Sequence, residues 1–219
     1  MAKKPNKKEM NRLIKEMEEL AEAKKWETLK AKAETFIKKF PDDAMGYFFL
    51  GSSKSELGDF SEGLDNLDQA IRKKPKNANF YNNRGSIKDN LGRLEEAIED
   101  LDKAIALDPN SSFSFFNRGT IKYKLGRYNE AIEDLDKAIA LDPNDPRFYH
   151  NRAMAIGKKA AKESEAKITA AYDAQLKQFS DPQKIIELYE DEINRSSLRT
   201  YGTKSFTTQE EHREKKQND

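Results

Sequence analysis

The sequence contains no cysteine, which removes disulfides, thiolate metal sites and cysteine nucleophiles at once. Histidine is nearly absent too. His150 and His212 alone are few ligands for zinc and little material for histidine acid–base chemistry. No stretch approaches the roughly 18 apolar residues of a membrane-spanning helix. The start, "MAKKPNKKEMNRLIKEMEEL", is basic but lacks a continuous apolar core, so it does not read as a secretory signal. Its glutamates argue against a mitochondrial presequence, and a cytoplasmic location is the expectation. Also missing are a Ser-His-Asp ordering, a phosphate loop and a dinucleotide fingerprint. "GSSKSELG" at Gly51–Gly58 looks loop-like but falls within a predicted helix. The expectation is a non-enzyme without cofactor or metal.

What is present is unusually polar. Hydrophobic and charged residues each make up 36% of the chain, low in apolar content for a 219-residue globule but suited to a thin array with much surface. Twelve Phe and eight Tyr still provide material to bury, which argues against wholesale disorder. The net charge of +1 hides an uneven distribution. Residues 1–39 hold 12 Lys/Arg against 7 Asp/Glu, whereas residues 77–145 hold 9 against 13. Neither block forms the basic stripe of a nucleic-acid reader, so no such partner is expected.

The stretch "EAIEDLDKAIALDPN" occurs twice without change, at 96–110 and 130–144. It lies inside a longer alignment in which 44–77, 78–111 and 112–145 stack without gaps at a period of 34 residues. Each unit opens with an aromatic (Tyr47, Tyr81, Phe115; Tyr149 in a partial fourth copy), followed four residues on by Gly51, Gly85, Gly119 or Ala153. Gly58, Gly92 and Gly126 then end the first helix, where a left-handed backbone suits glycine. A second helix follows, with apolar rows Ala97, Ile98, Leu101, Ala104, Ile105, Leu107 in unit two and their counterparts in unit three. Pro75, Pro109 and Pro143 stop it.

The chain therefore resembles the tetratricopeptide repeat family, whose pattern is matched by Tyr81, Gly85, Ala97, Leu101, Ala104 and Pro109 and by their unit-three equivalents. It departs from that pattern at Arg84, Arg118 and Arg152, where leucine is usual, and at Lys54, Lys88 and Lys122, where tyrosine is usual. The resemblance implies an all-α fold, a right-handed superhelical solenoid of helix–turn–helix repeats with C-terminal capping helices.

The flanks extend the array. Residues 1–43 read as a worn helical pair, with Trp26 and Pro41 in register with Phe60 and Pro75. Residues 44–145 are the three clear units. Residues 146–199 begin as a fourth first helix, lose the register near Ala155 and run into a long amphipathic helix. A final helix is expected there, capped at Ser180 or Asp181 and ending near Leu198. Residues 200–219 are expected to form a polar, disordered tail.

Two clusters are candidates for a site. In the duplicated stretch, rotation along the helix turns Glu99 and Asp102 outward and leaves Asp100 about 100° from Glu99 and about 160° from Asp102. Without a histidine or a third oxygen ligand, these acids read as a solvated face rather than a metal site.

The other cluster rests on the resemblance, which implies that first helices line a concave groove. Its groove-facing places hold Asn79, Asn82 and Asn83 in unit two. Unit three contributes Phe113, Phe116, Asn117 and Tyr123, and unit four Arg147, His150 and Asn151. Asn83, Asn117 and Asn151 recur at one place per unit. An amide that both donates and accepts can grip a peptide backbone without reading its sequence, or it can bond the neighbouring repeat. Phe48, Phe49 and Met45, with the aromatics of unit three, either anchor a ligand or pack beneath the N-terminal helices. His150 reads as a contact residue. The carboxylate clamp of chaperone-tail binders is not reproduced, because Asn82, Ser86 and Asn151 stand where its other places fall.

The expected function is recognition of a protein partner's extended peptide or helix in the groove, without nucleic acid or membrane. Two rivals remain open: an oligomerisation scaffold, with a homo-oligomer formed through the C-terminal helices, and a client-holding chaperone of the secretion type.

Overall fold

The computed structural model describes residues 6–176 together with 187, 189 and 190. The final helix expected at 180–198 and the tail from 200 lie outside the described residues, apart from those three positions. Among the described residues the fold is all-helical, in two compact units, Met1–Ala160 and Ala161–Asp219.

In the first unit, helices alternate as first and second members of hairpins. The first helices are α1 (Lys7–Glu22), α3 (Ala44–Glu56), α5 (Ala78–Asn90) and α7 (Ser112–Lys124). The second helices are α2 (Trp26–Lys39), α4 (Phe60–Lys73), α6 (Leu94–Leu107) and α8 (Tyr128–Leu141). α9 (Pro146–Leu176) starts as a further first helix and continues unbroken through Gly157. The starts of α3, α5, α7 and α9 are 34 residues apart.

Local chemistry sets these boundaries. First helices carry side-chain caps: Asn6, Asp43, Asn77 and Ser111 each accept a hydrogen bond from a first-turn backbone N–H. Second helices have no such cap, because they are entered through a tight turn in which Gly58, Gly92 and Gly126 take φ of 93°, 73° and 73°. Lys24 occupies the same place in the first hairpin at φ 53°, a left-handed conformation that a side chain opposes.

Packing follows the apolar rows. Ala97, Leu101 and Ala104 of α6, and Ala131, Leu135 and Ala138 of α8, are completely buried. Leu107 and Leu141, expected in those rows, are 38% and 39% exposed because they end their helices where the chain turns away. A Cβ on Gly85 would lie 3.1 Å from both the Ala97 carbonyl and Leu101 Cγ, so the hairpin closes over a bare backbone there. α2, α4 and α6 each pack on their own first helix and on the next one, and α8 packs on α7. Neighbouring first helices also touch along the stack, whereas second helices make no comparable contact with one another among the described residues.

The N-terminal pair belongs to this stack. Met17, Leu29, Ala33, Phe36 and Phe40 form one cluster with Phe49 and Leu50 of α3. Phe49, read as a possible anchor, is therefore core, and Phe48 packs on Phe80 with ring centres 5.1 Å apart. The second unit holds the remainder of α9, where Tyr172 stacks on Tyr189 at 5.8 Å.

Candidate functional site on the first helices

The three asparagines each reach one unit back. Asn83 Nδ2 donates to Ser52 Oγ at 2.9 Å, and Asn151 Nδ2 to Thr120 Oγ1 at 2.9 Å. Asn117 Nδ2 donates to Asn82 Oδ1 at 3.1 Å and to Ser86 Oγ at 3.4 Å. The amide thus staples consecutive first helices through a hydroxyl residue placed alike in each unit. That hydroxyl partner was legible as a recurring Ser52, Ser86, Thr120, but sequence reasoning did not pair it. No described residue bonds the carbonyl oxygens of Asn83, Asn117 and Asn151, which stay available as acceptors.

At the far end of this row three groups converge. Phe116 packs on the buried Phe148 at 5.0 Å, Phe113 meets the same ring edge-on at 6.1 Å, and Phe113 remains 47% exposed. The Arg147 guanidinium covers both rings, 5.4 Å from Phe113 and 5.7 Å from Phe116. It also grips Asp145 through Nε and Nη2. Those hydrogen bonds hold the Asp145 carboxyl below the usual carboxylate range. Arg147 is therefore a paired cation. Tyr123 lies apart, its ring 5.8 Å from Tyr128, while Asn79 and His150 are exposed. Asn82 faces unit three, accepting from Ser114 Oγ as well as from Asn117.

The acids of the duplicated stretch are not a uniformly solvated face. Asp100 and Asp134 are 4% and 5% exposed. Arg84 Nε and Nη2 bind the two Asp100 oxygens at 2.9 and 2.5 Å, and Lys88 Nζ lies 2.7 Å from the same carboxylate. Arg84 Nη1 also reaches back to Asp68 of the preceding unit at 2.6 Å, and its guanidinium lies 5.6 Å from the Tyr81 ring centre. Unit three repeats the pattern, Arg118 binding Asp134 and Asp102 beside Phe115, with Lys122 on Asp134. The hydrogen bond to Asp100, then that to Asp68, raises the Arg84 pKa against desolvation. So Arg84, Lys88, Arg118 and Lys122, which depart from the family pattern, are the partners of the repeated acids. The cluster is a structural clamp between units, and no group of described residues has the composition of a metal site.

Three family models match the sequence: a tetratricopeptide repeat over 50–112, a second over 101–133 and a TPR repeat over 119–159. Together they run without a gap across half of the chain. It belongs to the tetratricopeptide repeat family. No curated protein sequence matches this tetratricopeptide repeat chain. Solved structures do. The MamA protein aligns at TM-score 0.58 and 19% identity, covering 72% of this chain and 86% of that one. The first TPR of Spaghetti (RPAP3), bound to the HSP90 peptide SRMEEVD, aligns at 0.53 and 22%, covering 54% and 94%. The TPR2B-domain:pHsp70 complex of yeast Sti1 aligns at 0.51 and 24%, covering 52% and 97%. At these identities the likeness is one of fold. No helix among the described residues is long and apolar enough to cross a membrane.

Proposed function

We propose that the first-helix face is a non-catalytic recognition surface for an extended peptide of a protein partner. The observation that carries this reading is the asparagine series. Each amide is fixed by a bond to the preceding unit, while its carbonyl oxygen faces no described partner. Such fixing lowers the entropy lost when a backbone N–H docks. Solved TPR structures with HSP90 and pHsp70 ligands support a protein-interaction role for the fold. A terminal carboxylate is not the favoured ligand here, because Arg147 already holds Asp145. The exposed Phe113, with Arg147 across its face, suits an aromatic or aliphatic side chain within an internal stretch. The test is selection from a displayed random peptide library, followed by calorimetry of one selected peptide. Replacing Asn83 and Asn117 together by Ala should weaken binding about tenfold or more by removing oriented acceptors. Equal affinity for both proteins would overturn the reading.

A further inference from the structure

The clamp that closes units two and three is only half built on α9. Arg152 reaches back to Asp136 of the preceding unit at 2.5 Å, as Arg84 and Arg118 reach back to Asp68 and Asp102. Those two arginines also hold a buried aspartate on the second helix of their own unit, and Arg152 has no such partner among the described residues. Its side chain is accordingly 41% exposed, against 21% and 18% for the other two. Around it, Tyr149 and Ile156 are 47% and 42% exposed and Ala153 is open. Of their counterparts in unit two, Gly85 and Lys88 lie against α6 and Tyr81 is buried. Among the described residues, α9 thus presents the first-helix half of a hairpin interface without its second half.

We infer that this α9 face, distinct from the asparagine row, docks one amphipathic helix of a partner protein, completing the fourth hairpin in trans. The occupied units specify its chemistry. α6 and α8 each place a small residue, a carboxylate, an aliphatic residue and another small residue, Ala97-x-x-Asp100-Leu101-x-x-Ala104, against this type of surface. The partner helix brings one carboxylate to Arg152 and a small residue over Ala153. Where Lys88 and Lys122 give the internal aspartates a second cation, Ile156 offers an apolar contact, so a single carboxylate suffices. Ala153, replacing glycine, holds the incoming helix a few tenths of an ångström further off than α6 sits on Gly85.

The test uses the full chain and a peptide carrying residues 128–141, the α8 sequence. A side-chain lactam between the exposed Glu133 and Lys137 keeps it helical. Fluorescence anisotropy should show saturable binding. Asp134→Asn in the peptide, or Arg152→Glu in the protein, should each weaken it by about tenfold or more, as expected for a lost charge-assisted pair. Arg152→Glu paired with Asp134→Lys in the peptide should recover binding. The peptide variant leaves the protein untouched, so misfolding cannot imitate the result. Asn83→Ala with Asn117→Ala should leave this binding intact, which separates its failure from that of the peptide surface. No binding to the full chain, binding indifferent to Arg152, or binding lost with the asparagines would each overturn the proposal. So would a dimer, seen by sedimentation of the protein alone, that Arg152→Glu dissolves, since the occupant would then be a second copy.

Discussion

Arg84 holds Asp100 with two charge-assisted hydrogen bonds, Nε to Oδ2 at 2.9 Å and Nη2 to Oδ1 at 2.5 Å, across the two helices of one unit. Because Asp100 is nearly buried and also serves Lys88, removing it strands two cations at a hairpin interface. Asp100→Ala should cost about 3 kcal/mol, the lower end of the range for removing one partner of a buried pair, because Arg84 keeps part of its side chain in solvent. Unit one shows how the same place is filled without charge, with Leu50 and Asn66 where unit two has Arg84 and Asp100. Arg84→Leu combined with Asp100→Asn should therefore stay within about 1 kcal/mol of wild type, whereas Asp100→Asn alone should not. Urea midpoints of the three variants check this.

The turn of the first hairpin offers a gain. Lys24 holds a left-handed backbone that glycine supplies at Gly58, Gly92 and Gly126. Lys24→Gly should raise stability by about 0.5 kcal/mol, the relief of strain exceeding the added freedom of the unfolded chain. Gly92→Ala should lower it by about 1 kcal/mol through the backbone alone, since nothing lies within 4 Å of a Cβ there. Thermal melts of both variants test the pair.

Gly85 acts by size. A Cβ at that position meets the Ala97 carbonyl and Leu101 Cγ at 3.1 Å. Gly85→Val should thus cost about 2–3 kcal/mol by wedging α5 from α6, and Gly92→Val should not show this packing loss. Hydrogen exchange of the α6 amides distinguishes the two.

Phe113 and Phe116 should separate binding from folding. Phe113 is half-exposed, so Phe113→Ala should lower affinity for a selected peptide with a melting shift of only a degree or two. Phe116 packs on buried Phe148, and Phe116→Ala should lower both. Calorimetric titration beside thermal melts reads the difference.

Helix boundaries were legible in the sequence because every unit repeats the same local signals. A left-handed glycine turns the first helix and a proline stops the second, while the capping side chains Asp43, Asn77 and Ser111 emerged only in the structure. The fully buried row Ala97, Leu101, Ala104 was legible for the same reason. The state of Asp100 was not. A helical wheel gives its angle on α6, but its burial depends on Arg84, 16 residues earlier on another helix. A signal existed in the exchange between units: leucine stands with asparagine in unit one, and arginine with aspartate in units two and three. Phe49 was ambiguous because a groove place at the start of the clear repeats becomes core once α1 and α2 cover it. The asparagines were placed on the first-helix face by family resemblance, and their hydroxyl partners emerged only when successive units were stacked.

Those hydroxyls allow peptide-backbone binding by the asparagine series to be tested apart from its role between units. Each amide–hydroxyl bond can be cut from either end, whereas the Asn117–Asn82 bond is cut only in the asparagine set. Ser52→Ala with Ser86→Ala and Thr120→Val removes the hydroxyls and keeps the asparagines. Asn83→Ala with Asn117→Ala and Asn151→Ala removes the amides. Both sets should lower stability comparably, by about 0.5–1.5 kcal/mol per bond. Titrating the same library-selected peptide into each protein, well below its melting temperature, separates structure from recognition. Backbone recognition by the asparagines should give about tenfold or greater loss of affinity for the asparagine set and no more than a few-fold loss for the hydroxyl set. Equal affinities in the two sets would contradict it and leave the asparagines as staples between repeats.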